Sequence, residues 1–175
     1  MTLSAWPPPP RIATADHSDV AAWLSHLRSI EVVPVRHPIL EALGHDPASN
    51  YAEQFWLPVI GPSALWAHRR LTAGFLSGEH NYHLDIATLG REIGLGAGTG
   101  RNSPIVRTLT RLVDFHLAEI ADCRLGVHTT LPPLTRRQAA RLPAHLAERY
   151  RAVAAESHHR HPMAAVPPES QGRDR

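Results

Sequence analysis

The chain has 175 residues, 43% of them hydrophobic, which is enough for one packed domain with tails and at most a second small helical unit. The formal net charge is +2 and all 18 basic residues are arginine. The absence of lysine excludes Schiff-base, Walker-lysine and lysine general-base chemistry.

No apolar run approaches the ~20 residues that span a bilayer, so no membrane association is expected. The start, "MTLSAWPPPPRIA", lacks the basic-then-apolar pattern of a secretory signal. A single cysteine, Cys123, allows neither an internal disulfide nor a CxxC thiolate site. The expected compartment is the cytoplasm. Charge is spread unevenly: residues 1–50 carry 3 Arg against 5 acids, and residues 91–151 carry 10 Arg against 5 acids. The second stretch is the candidate surface for an acidic partner.

In chain order, residues 1–15 contain "PPPP" and read as a disordered or polyproline arm. Residues 16–61 read as an N-terminal helical segment. Val20, Trp23, Leu24 and Leu27 there fall on one helical face, with Asp16 or Ser18 as cap. "VVPVRHPILEALGHDP" gives a short extended piece and one or two helical turns ending at Gly44. "NYAEQFWLPVIGP" gives a short helix and connector broken by Pro58 and Pro62. A helix is expected over 62–76, with Leu65, Thr72, Phe75 and Leu76 on one side. A second is expected over 84–94, capped by Asp85 and stopped by Gly94.

The glycine turn "GLGAGTGRNSP", 94–104, then leads to a helix over 103–116. Asn102 or Ser103 is its N-cap and Pro104 its first helical residue. Val106, Leu109, Val113 and Leu117 form its apolar stripe, opposite Arg107, Arg111 and Asp114. Residues 117–120 and 125–131 around "ADCR" read as a hairpin. A capping box, Thr135 to Gln138, opens a helix broken near Pro143, and residues 155–175 read as a disordered tail.

The glycine turn invites a nucleotide reading, which its spacing refuses. A Walker loop needs a second glycine and a lysine, and G-x-G-x-x-G meets Thr99 or Arg101 where its last glycine should be. Helix starts nonetheless offer free N–H groups to anions. A backbone phosphate beside Thr99 and Arg101 is the expected anion, against the alternative of a mobile turn that binds nothing.

Helices 62–76, 84–94 and 103–116, followed by the hairpin and a further helix, resemble a winged helix-turn-helix domain. "HPILEALGHDPASNYAEQFWLPVIGPSALWAHRRL" and "GTGRNSPIVRTLTRLVDFHLAEI" also resemble a group of short, uncharacterised actinobacterial proteins, a likeness that implies no chemistry. The resemblance implies a mainly α fold with a small β-hairpin, a winged helix-turn-helix over 62–154 with the N-terminal helical extension. It implies that helix 103–116 enters the major groove of double-stranded DNA. Arg107 and Arg111 would then read guanine or pair with phosphates, with Thr108 and Thr110 as weaker contacts. Arg124 and His128 would lie on the wing, and Arg136, Arg137 and Arg141 would extend the phosphate track. Asn102 and Ser103 would stand at the helix start, beside Thr99 and Arg101. The usual task of such a protein is transcription regulation, and a homodimer through the N-terminal segment is a further expectation. The eight residues 95–102 between the two helices depart from the three or four of a common helix-turn-helix. The alternative is a protein-interaction module of the same fold.

Catalytic residues, cofactors and metals are not expected. "HNYH", His80 to His83, falls in an expected loop, and His158, His159 and His161 fall in the tail. Cys123 sits on a shallow turn with only Arg124 and His128 near it, and no G-x-S-x-G elbow is present. Trp23, Trp56 and Trp66 are expected in the core, and Trp6 lies in the arm.

Overall fold

The computed structural model describes residues 17–76, 78 and 80–160. The expectations for residues 1–16, Asp16 as a cap of the first helix among them, fall outside the described residues, as do those for 161–175.

The elements run α1 (His17–Ser25), β1 (Ser29–Val35), α2 (Pro38–Leu43), a π-helical turn (Ala52–Trp56), α3 (Leu57–Ile60) and α4 (Pro62–Leu76). They continue with β2 (Tyr82–Asp85), α5 (Ile86–Glu92), α6 (Pro104–Asp114), β3 (Ala118–Ala121), β4 (Arg124–His128), α7 (Arg136–Ala139) and α8 (Ala144–Arg160). The fold class is therefore mixed α/β, with helix at 53% and a four-stranded sheet, rather than mainly α with a lone hairpin.

The sheet order is β2-β1-β4-β3. The expected hairpin is present: β3 and β4 are antiparallel around a turn in which Asp122 and Cys123 both have positive φ, 50° and 60°. That is the twist a two-residue hairpin needs, supplied here without glycine. The strand added to it is β1, parallel to β4, with Val32 opposite Leu125 and Pro34 opposite Val127. On its other side β1 pairs antiparallel with β2, from Ser29↔Asp85 to Val32↔Tyr82. Pro34 is tolerated because the β2 ladder stops at Val32, so beyond it β1 has one neighbour only. Segments 16–61 and 62–154 thus share one sheet. His83, expected in a loop, lies on β2, and residues 84 and 85 end that strand before α5 begins.

Local chemistry explains the unusual turns. Pro58 has no N–H to offer Gln54, so the preceding helix widens and Leu57 N–H donates to the carbonyl of Ala52, five residues back. Gly74 leaves room for the Tyr82 ring, whose hydroxyl donates to Leu71 O at 2.6 Å and ties β2 to α4.

The core collects Leu24 from α1, Val32 from β1, Phe55 and Trp56 from the π turn, and Leu71 from α4, joined by Ile105 and Leu109 from α6 and Leu125 from β4. Trp56 Nε1 donates to Pro132 O at 2.9 Å, so its indole is buried with its polar atom satisfied. Trp66 does not join the core as expected: it is 58% exposed, because Leu65, Ala67 and His68 take the inward face of α4. The Thr135–Gln138 capping box forms as expected. After Pro143, α8 runs on to Arg160, beyond the expected start of the tail. No helix among the described residues is long and apolar enough to cross a membrane.

Candidate nucleic-acid interface

Two helix ends and one turn build the site. At the end of α5, Gly94 adopts φ 76° and its N–H donates to Arg91 O at 3.1 Å, while Leu95 N–H donates to Gly90 O at 2.7 Å. This bond pair is a Schellman cap, which satisfies carbonyls that the helix end would leave open. Gly90 then lets the turn close on α5, because a Cβ there would stand 2.4 Å from Gly96 O. The turn is longer than the sequence suggested: α5 ends at Glu92 and α6 starts at Pro104, so residues 93–103 intervene. It ends at Ser103, whose Oγ accepts from Val106 N–H at 3.4 Å, with Pro104 opening the helix as expected.

α6 is held on several sides by α1, α4, α5 and β3. Ile105, Val106, Leu109 and Leu112 are fully buried, and Thr108 and Thr110 are 7% and 8% exposed. Only a narrow stripe, Pro104, Arg107 and Arg111, stays exposed along it. Thr108 is therefore a core-facing residue and offers no outward contact, contrary to expectation. Thr110 is buried too, and its hydroxyl oxygen has no hydrogen-bond partner.

A cleft of about 290 Å³ lies between α6 and α1, lined by Arg101, Asn102, Arg107, Thr110, Arg111 and Asp114, with Ala21 on the α1 side. Arg111 is anchored there: its Nη2 donates to Val59 O at 3.2 Å and its guanidinium lies 5.5 Å from the Phe115 ring centroid. One donor of five is thereby engaged, and the group is fixed in orientation. Arg107 is exposed; its backbone N–H donates to Ser103 O at 3.1 Å, and its side chain makes no hydrogen bond or ion pair among the described residues.

The other expected contacts do not join this cleft. Thr99 lines a separate one, about 410 Å³, with Ser25, His26, Arg28, Asp85 and Arg91. Arg124, at the start of β4, donates from Nε to Glu31 Oε2 at 2.7 Å. Partial burial pushes the Glu31 carboxyl up, but hydrogen bonds from Asn81 and Arg124 and the charges of Arg124 and His83 hold it below the usual range. Arg124 is thus a partner of β1. His128 is half-buried; its ring Nδ1 is buried without a partner, and its carbonyl accepts from His68 Nε2 at 2.9 Å. It stands inside the sheet rather than out on a wing. Arg136 and Arg137 are exposed on α7 and line neither cleft.

Sequence reasoning missed Arg28 and Arg91. Arg91 sits in the last turn of α5, directly before the glycine turn, which was the available signal. Arg28 had none, because its place depends on β1 entering the sheet. Among the described residues no group of three or more His, Cys, Asp or Glu is arranged to hold a metal. No protein-family model, curated protein or solved structure matches the chain.

Proposed function

We propose that the chain binds double-stranded DNA through α6 and the turn before it, in the manner of a winged helix-turn-helix protein and mainly by phosphate contacts. The observation that carries this reading is the gathering of Arg101, Asn102, Arg107 and Arg111 in one open cleft beside the start of α6. Guanidinium groups pair with phosphate oxygens through two parallel bonds. A fully inserted recognition helix needs a broad outward face, and α6 offers one narrow stripe. Phosphate contact by that stripe fits better than deep base reading. Control of transcription is the use this implies by analogy.

A mobility-shift series on unrelated duplexes tests the reading. Binding should weaken steeply with salt, and Arg107→Ala should flatten the log–log salt slope by about 0.9, the loss of one phosphate contact. The loss should be uniform across sequences. A loss confined to one base pair would make Arg107 a base reader instead. Absence of any shift at low salt overturns the proposal.

A second reading, a protein-interaction module, has Trp66 in its favour. That indole is 58% exposed on α4, with the Arg69 guanidinium 5.3 Å from the ring centroid. Exposed tryptophan with arginine is a common anchor pair at protein interfaces. Under this reading Trp66→Ala abolishes capture of a protein partner and leaves DNA retention unchanged.

A further inference from the structure

We propose that the second cleft, between the end of α1 and α5, holds one phosphodiester of the same DNA that α6 engages. This rests on the DNA-binding reading above and extends its footprint to residues that reading does not use. Two guanidiniums, Arg28 and Arg91, face one carboxylate, Asp85, in a polar cleft of about 410 Å³. The balance is one net positive charge, which matches the single negative charge of a phosphodiester. The carboxylate is already committed, because Asp85 Oδ1 accepts from Thr88 N–H at 2.7 Å as the cap of α5. Arg91 is held in place by its own bond, Nη2 to Thr88 Oγ1 at 2.9 Å. His26 and Thr99, both of donor-bearing residue types, complete the polar lining.

The spacing of the two clefts suits consecutive phosphates. Thr99 lines one and Arg101 the other, and two residues span at most about 7 Å. On the opposite wall, Ala21 borders one cleft and Ser25 the other, one helical turn or about 6 Å apart. Successive phosphates of a strand advance about 3.4 Å along the duplex axis and also turn around it, so their separation exceeds that rise and a single step is of the same order as either distance. A strand following the foot of α1 would pass from one cleft to the other.

The test is the salt dependence of duplex binding by the full chain carrying Arg28→Gln and Arg91→Gln together. The log–log slope should flatten by about 0.9, with affinity at 0.1 M salt several-fold weaker. Arg28→Lys with Arg91→Lys should restore the slope, since the charge is kept. Ala87→Glu, which adds a carboxylate to the same lining, should weaken binding independently. Thermal melts matching the unaltered chain check that substitution at exposed Arg28 and Arg91 and at half-buried Ala87 leaves the fold intact. If the slope is unchanged in the double Gln variant and Ala87→Glu binds normally, while Arg107→Ala still flattens the slope, this inference falls and the reading of α6 stands. If the unaltered chain shows no retention at low salt, both fall.

Discussion

His68 sits on the inward face of α4 with no exposed surface, donates from Nε2 to His128 O, and keeps Nδ1 unpaired. Burial pulls its pKa down from 6.5 to about 4, against a raising effect of the bond to His128. The unfolded chain therefore takes up a proton near pH 6.5 that the folded chain refuses until about pH 4. Stability is fully present above the unfolded value and falls as pH drops through that window. The full loss is about 3 kcal/mol by linkage. Burial lowers His128 and His45 in the same direction, so they add to the loss. Thermal melts at pH 7.5 and pH 4.5 should show a clear fall in Tm. His68→Gln, which keeps a donor for His128 O but carries no titrating group, should lower Tm at pH 7.5 and reduce the dependence on pH. Equal melting temperatures at the two pH values for the unaltered chain would remove buried His68 from the account of stability.

At the scale of elements, the same cap closes α5 and α6 with different residues. In α5 the left-handed position is Gly94, φ 76°. In α6 it is His116, φ 55°, whose N–H donates to Val113 O at 3.0 Å while Leu117 N–H donates to Leu112 O at 2.9 Å. A side chain in that conformation costs about 1–2 kcal/mol that glycine does not, partly offset by the extra freedom glycine has when unfolded. His116→Gly should therefore raise stability by about 0.5–1 kcal/mol in denaturant titration, and Gly94→Ala should lower it by about 1 kcal/mol. Gly90→Ala goes further, because its Cβ would meet Gly96 O and the turn must shift. Its expected result is a loss of about 1–3 kcal/mol and, under the proposed DNA-binding reading, weaker retention of a duplex.

These elements were legible because their signals are local. Asp85, Asn102 or Ser103 with Pro104, and Thr135 with Gln138 each announce a helix start within four residues, and the caps form at Asp85, Ser103 and Thr135. What could not be read was lateral. Nothing within residues 29–35 says that the extended piece lies beside β4, and nothing at Trp66 says that α4 turns Ala67 and His68 inward instead. The arginines divide the same way. Arg107 is outward by helical periodicity alone, whereas Arg124 meets Glu31 only because β1 runs parallel to β4.

For the whole molecule, the position of β1 decides how much of the chain is needed to fold. It lies between β2 and β4, with Val32 fully buried, and α1 before it seats Leu24 against the core beside α6. A chain beginning at Pro62 would keep α4 through α8 and the β3–β4 hairpin. It would lose the strand that joins that hairpin to β2, along with Phe55, Trp56 and the cover that α1 gives α6. At about 1.5–3 kcal/mol per buried side chain, burial of Ile30, Val32, Phe55 and Trp56 contributes about 6–12 kcal/mol, comparable to the whole 5–15 kcal/mol by which a domain of this size is stable. The shortened chain should therefore show no cooperative thermal transition, while residues 17–160 should melt in a single one. A cooperative melt from the chain beginning at Pro62 would mean that α4 through α8 hold together without β1, and that the N-terminal segment is an accessory to a unit that folds by itself.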